Sequence, residues 1–385
     1  MTSTLQRSAK APLSREIELD FIRGIAILLV LDLHTNHRLL TKPLALIGYA
    51  HIGWVGVNIF FVLSGFLVGG LLMKEWKVRK GIDSKRFLLR RVLKIWPQYY
   101  VFLLVSILFG SFRLSDAWGN LFNVQNYYAG SIMHTWSLAV EEHVYLMLLV
   151  FFAIAARKRI ALRPLFLTLC GVCVFETVLR FILATHGYQV YYVTHTRVDG
   201  IVYGVLLAMI YHFAPERFAR LRSYRALWVV CLLVGFACMK EPAGHEWPQA
   251  LRLDGANLLS IAVLMLLYNP PAHGRQRNFL YRAVARIGLY SYGIYIWHVN
   301  AIRPIDRFAV RHPSVPGWIM GVAFYISAIS IGVITTKLVE FPMLRVRDHF
   351  FPKRIDSAVG PPAELEAPEG TPATLEAPAT FETVS

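Results

Sequence analysis

A chain of 385 residues that is 56% apolar and 17% charged, with mean hydropathy +0.46, does not resemble an ordinary soluble domain, in which about a quarter of the residues are charged. Its formal charge of +16 does not indicate a nucleic-acid partner, because the Lys and Arg residues alternate with apolar runs instead of forming one face. The composition predicts an all-α polytopic integral membrane helix bundle, since a chain in lipid must satisfy its own backbone hydrogen bonds.

Residues 1–18 read as a polar cytoplasmic arm with no cleavable signal peptide. Ten apolar runs follow, near 19–35, 50–73, 92–111, 137–156, 164–184, 196–212, 226–240, 254–268, 287–304 and 317–340. A run of roughly 17 to 25 residues crosses about 30 Å of hydrocarbon as a helix, so 226–240 and 254–268 are short for full spans. Of the 40 Lys and Arg residues, 28 lie in the arm, in the alternate connections 74–94, 157–163, 213–225 and 269–286, and after helix ten, against 6 in the five opposite loops. The positive-inside rule then puts both termini in the cytoplasm. Residues 19–347 form the transmembrane domain, and 348–385 a cytoplasmic tail whose Pro, Ala, Thr and Glu predict disorder from about 356. There is no long repeat and no room for an added soluble catalytic domain, so the function belongs to the bundle. Cys170, Cys173, Cys231 and Cys238 fall inside predicted helices and read as apolar packers, and no metal site is expected.

Chemistry is expected where ionisable groups sit at membrane depth, because each costs roughly 2.5–3.5 kcal/mol to insert. Arg23 and His34 are eleven residues apart, about 16 Å along a helix and within about 20° of one stripe. A cation at the cytoplasmic edge and an imidazole toward the far side suit an anion anchor leading to a proton-transfer site. The alternative is an Arg23 that snorkels to headgroups and a His34 that caps the helix. The segment from His134 to His143 opens the fourth predicted span. There Ser137, Glu141 and Tyr145 repeat at i, i+4 and i+8 on one face, while Glu142 points about 100° away. Two adjacent carboxylates exceed what helix capping needs, and one is expected beside His34 to fix its tautomer. Arg197 and Asp199 suit an ion pair or acceptor binding. His298 follows an aromatic run, Tyr290 to Trp297, that reads as packing or as a sugar platform, and His195, His245 and Trp247 lie in outward loops.

Several of these residues stand in collinear motifs. Asp20, Arg23 and His34 come first, then the run from Gly56 to Phe66 with Asn58 and Ser64 inside it. Trp136, Ser137 and Leu138 with Glu141 and Glu142 follow, then Arg197, Val198 and Asp199 with Gly204. The last are Ser291, Tyr292, Tyr295, Trp297 and His298, and Glu340, Phe341 and Pro342. From about residue 15 to 347 the chain resembles the membrane-bound acyltransferase-3 family. The resemblance implies a bacterial inner-membrane enzyme of about ten helices that takes an acyl group from cytoplasmic acyl-CoA and O-acylates a saccharide. It implies that His34 is the catalytic base, Arg23 part of the donor channel, and Glu141 and Glu142 supporting acids. Asn58 stands where the family commonly has Asp, and His143 where it commonly has Gln, two departures that touch the protonation network around helix two.

The basic stretch Lys85, Arg86, Arg90, Arg91 and Lys94 suits the phosphates of coenzyme A, and equally suits positive-inside topology and anionic lipid. The expected activity is O-acyl transfer from acyl-CoA, such as acetyl-CoA, to a carbohydrate hydroxyl, with His34 as general base or acyl carrier. Acyl-CoA is then a co-substrate, and no permanently bound cofactor is expected. The rival readings are a non-enzymatic transporter or flippase of glycan or lipid, and a transferase with a lipid-linked donor. The acyl group, the glycan and the oligomeric state are left open by the residues.

Overall fold

The computed structural model describes residues 16–45, 49, 51–109, 115, 117–128, 132–240, 247–269 and 278–352, and of residues 45, 247 and 248 the backbone alone. The tail expected to be disordered from about 356, His245 and the Trp247 side chain lie outside the described residues. In chain order the helices are α1 (Ile17–His34), α2 (Lys42–Ala45), α3 (Val55–Arg79), α4 (Ser84–Leu108), α5 (Trp118–Leu121), α6 (Trp136–Arg157), α7 (Leu162–Thr185), α8 (Val198–Phe213), α9 (Pro215–Ser223) and α10 (Arg225–Cys238). They continue with α11 (Trp247–Leu267), α12 (Phe279–Leu289), α13 (Ser291–Trp297), α14 (Val299–Arg311), α15 (Gly317–Thr335), a π-helical turn (Thr336–Glu340) and α16 (Phe341–Phe350). No strand occurs among the described residues.

Within the described residues each of the ten expected runs falls mainly on helix, but they are not ten uniform rods. Six helical stretches are long and apolar enough to cross a membrane: Ile52–Arg79, Ser84–Leu108, Met133–Arg157, Leu162–Thr185, Gln249–Leu267 and Gly317–Phe350. A seventh results if α8 and α9, which meet at a 119° bend, are one span. The first expected span, α1, carries Glu18, Asp20, Arg23 and Asp32, and the seventh, α10, has 14 residues. The ninth, 287–304, is broken over α12, α13 and α14. Broken helix at membrane depth leaves carbonyls to be satisfied by neighbours, and here the Tyr295 and Ile296 carbonyls accept from the imidazoles of His298 and His134, at 2.7 and 3.1 Å.

Burial of apolar surface drives little association in lipid, so membrane helices pack by close backbone approach at small residues. A Cβ on Gly65 of α3 would lie 1.8 Å from the Ile201 carbonyl of α8, and one on Gly204 would lie 2.0 Å from that of Val62. A buried polar network ties α3, α7, α8 and α11 together. Arg180 donates to Asp199 at 2.5 Å, to the Thr196 carbonyl at 2.7 Å, and to Asp254. Asn257 donates to Asp199 at 2.9 Å and accepts from Asn58 at 2.7 Å. Asp199 thus takes its guanidinium from Arg180, and Arg197 donates instead to Asn58 Oδ1, at 2.9 Å.

The carboxylate of Asp32, buried at the end of α1, accepts the backbone N–H groups of Leu39, Leu40 and Thr41 at 2.8–2.9 Å. It also accepts the hydroxyls of Thr41 and Tyr325 at 2.6 and 3.0 Å. These bonds fold the segment after His34 back onto the helix and fix the end of α1 against α15.

Candidate active site

A cavity of about 700 Å³ runs between α1, α3, α4, α6, α13 and the π-turn with α16. Its basic lining comes from Arg23, Lys74, Arg91, Lys94, His212 and Arg347, and its carboxylates are Glu16, Glu141, Glu142 and Glu340. The Arg23 guanidinium also pairs with Asp20 at 3.0 Å, one helical turn before it. Arg91 lies over the Tyr145 ring, 5.3 Å from its centroid. At the start of α1, burial raises the Glu16 carboxyl above the usual carboxylate range, and a Tyr268 hydrogen bond and the Lys74 charge only partly offset this.

Ser137, Glu141 and Tyr145 share one face of α6, as their spacing requires, and all three line the cavity. The Tyr145 hydroxyl donates to Glu141 at 2.8 Å and also bonds Ser64 on α3. Glu142 lines the cavity too, accepting from Trp96 Nε1 at 3.4 Å, while its Oε1 is buried and takes no hydrogen bond among the described residues. At the far end Ser137 meets the Tyr295 hydroxyl at 2.6 Å, which in turn reaches the His134 carbonyl at 2.6 Å.

Beyond Tyr295 lie three imidazoles. The His34 and His298 ring centroids are 4.8 Å apart, and those of His298 and His134 5.4 Å. Each ring is held by a backbone carbonyl, which can only accept, so the tautomer follows. His34 Nδ1–H donates to Val30 at 2.8 Å, His298 Nδ1–H to Tyr295, and His134 Nε2–H to Ile296. The remaining nitrogens, Nε2 of His34 and His298 and Nδ1 of His134, carry lone pairs. That of His298 is buried and has no hydrogen-bond partner among the described residues.

Among the described residues His34 takes no carboxylate as hydrogen-bond partner: its ring neighbour is His298, while Glu141 turns to Tyr145 and Glu142 to Trp96. Equal depth along two helices does not fix the direction in which their side chains point. The basic stretch also divides. Arg91 and Lys94 line the cavity, whereas Arg90 donates to Asp348 at 3.1 Å and to the Phe351 carbonyl, which ties α16 to α4. Arg86 is not among the lining residues, and its Nη2 is buried without a hydrogen bond among the described residues. Lys85 is absent from the lining as well. His195 meets Tyr127 at 3.1 Å, and His143 meets Thr194 at 2.8 Å, both away from the cavity. Sequence reasoning missed Asp32, Lys74, Arg347 and Tyr145 as an anchor. The Arg345 and Arg347 pair after helix ten reads as topology, and nothing local shows that α16 turns one of them inward.

Helices and cavity together describe an all-helical membrane protein with a deep, cation-lined chamber. Residues 16–337 match the acyltransferase domain of the acyltransferase-3 family, and the chain belongs to that family. It is similar to the peptidoglycan O-acetyltransferase OatA of Listeria monocytogenes, with 26% identity over 83% of this chain and 55% of that protein. It is also 26% identical to YrhL of Bacillus subtilis, named as a candidate peptidoglycan O-acetyltransferase, over 74% of this chain and 48% of YrhL. A Staphylococcus aureus protein named as a candidate O-acetyltransferase, SACOL0978, is 26% identical over 76% of this chain and 51% of its own. The chain therefore spans about half the length of the curated relatives it matches. No solved structure matches it.

Proposed function

We propose that this chain is a multi-pass enzyme of the bacterial inner membrane, with ten spans and cytoplasmic termini, that moves an acetyl group from cytoplasmic acetyl-CoA to a hydroxyl of a cell-surface glycan. Peptidoglycan, named for the relatives, is the first acceptor to test. The observation that carries the reading is a cavity lined with cations along α1, α3, α4 and α16 that reaches Ser137 and Tyr295, in ring contact with the His298 and His34 pair. A volume of about 700 Å³ suits an extended ligand such as a coenzyme. Arg23, Arg91, Lys94 and Arg347 meet its phosphates, guanidinium forks binding them bidentately.

The acceptor hydroxyl gives its proton to His34 Nε2 while its oxygen attacks the thioester carbonyl. The C–O bond forms, the C–S bond breaks, and the imidazolium returns the proton to the departing thiolate. The Val30 carbonyl fixes the His34 tautomer, and the bare Nε2 of His298 accepts from the protonated ring. Glu141 and Glu142 serve the donor side, balancing the charge of Arg91 and placing Tyr145. The test is acetyl transfer by protein in nanodiscs: His34→Ala is expected to cut turnover about 10²- to 10⁴-fold and to leave acetyl-CoA binding intact. Near wild-type turnover in a folded variant would remove His34 as the base. Dependence on an ion gradient without transfer would favour a transporter.

A further inference from the structure

A second pocket, of about 290 Å³, lies at the other end of the bundle, between the end of α1 and the starts of α3 and α11. Trp54, Tyr191 and Tyr192 form its aromatic walls, and Gln189, Gln249 and Arg252 supply its polar groups. We infer that this pocket is the acceptor subsite and binds a saccharide unit of the glycan, an inference that rests on the transferase reading above.

The composition is that of a sugar site. The flat faces of Trp54, Tyr191 and Tyr192 suit the C–H faces of a pyranose ring, and two amides and a guanidinium suit its hydroxyls. Among the described residues no carboxylate lines it, and Arg252 is placed to meet a hydroxyl or an acidic substituent of the sugar. Arg252 is held 5.5 Å above the Trp54 ring, and its Nε is buried without a hydrogen bond among the described residues. Gln189 accepts the Tyr191 N–H through its carbonyl at 2.7 Å, which frees its NH₂ for a ligand. The volume of about 290 Å³ falls just below the usual span of ligand pockets, roughly 300–1,000 Å³, the scale of a sugar unit and not of a coenzyme.

The walls are braced. Trp54 and Tyr191 meet edge to face at 5.9 Å, and Tyr191 and Tyr192 each pack on Trp136 at 5.3 Å. The buried Arg197 guanidinium stands 5.3 Å from both the Trp136 and Tyr191 rings. That gives Arg197, whose side-chain hydrogen-bond acceptor among the described residues is the neutral Asn58, the task of holding the aromatic wall. The pocket is joined to the cavity through Trp136, on which Tyr191 and Tyr192 pack and which is followed on α6 by the cavity-lining Ser137. Donor and acceptor then approach the histidines from opposite ends.

The test uses full-length protein in nanodiscs, acetyl-CoA, and base-de-esterified surface glycan of the source bacterium as acceptor, with Trp54→Leu, Gln249→Ala and Arg252→Gln as variants. Expected is a rise in KM for glycan of about tenfold for Trp54→Leu and Arg252→Gln, one lost contact of roughly 1.4 kcal/mol, and a smaller rise for Gln249→Ala. The KM for acetyl-CoA stays unchanged, which also reports that the variants fold. Glycan KM values at the wild-type level overturn the subsite. A response to anionic lipid in its place would assign the pocket to the bilayer. Failure of the unaltered protein to acetylate the glycan overturns the transferase reading itself, which separates the two.

Discussion

The three imidazoles are each fixed by a backbone carbonyl, so their tautomers are set by α1 and α13 and not by an acidic side chain. A histidine that must gain and lose a proton in each turnover is well served by a neighbour that can accept a hydrogen bond from its protonated form. His298 offers that through its unpartnered Nε2. His298→Asn keeps a donor for the Tyr295 carbonyl but removes the distal nitrogen. It is expected to lower kcat at least about tenfold, since a hydrogen bond to a charged group contributes roughly 1.5–3 kcal/mol. His298→Gln, whose amide oxygen extends to where Nε2 lay, should recover part of the loss. Glu141→Gln should instead raise the KM for acetyl-CoA more than it lowers kcat, because its partner is Tyr145 in the donor cavity. Steady-state kinetics in nanodiscs separates the two patterns, and a Glu141→Gln variant with only kcat reduced would return the carboxylate to His34.

α4 shows how one helix divides its charges between tasks. Arg90 and Arg91 are neighbours in sequence and about 100° apart around the axis, and only the second faces the cavity. Arg91→Ala is expected to raise the KM for acetyl-CoA about tenfold, the loss of one charge-assisted phosphate contact. Arg90→Ala should leave that KM unchanged and cost about 0–1 kcal/mol of stability at most, because its Asp348 partner is half exposed. Equal effects on KM would mean that α16 does not stand where Arg90 holds it. The sequence made the helices legible because hydropathy and charge placement act locally, and the Ser137, Glu141 and Tyr145 face was legible for the same reason. The pairing of His34 with His298 was not, since it depends on the break between α13 and α14 more than 260 residues later in the chain. The anchoring role of Asp32 was not legible either, because its partners are backbone groups of a loop with no pattern of its own.

At the scale of the whole molecule, the two pockets require that the bundle have fixed sides. One end gathers the start of α1, the end of α3, the start of α4 and α16. Glu16 hydrogen-bonds Tyr268 near Lys74, and Arg90 binds Asp348. These ties put the start of α1, the end of α3, the start of α4 and the end of α16 on one face whatever the number of spans. The proposed topology, which rests on the excess of Lys and Arg on those segments, puts that face in the cytoplasm. A reporter placed in the connection at 80–83, or fused after Lys353, is therefore expected to read cytoplasmic, and one placed between α4 and α5 to read external. If the first two disagree, the ties seen between α4 and α16 do not hold in the membrane. If all three are inverted, the cation-lined cavity faces outward, where there is no coenzyme A, and the donor assignment fails even though the histidine cluster would remain intact.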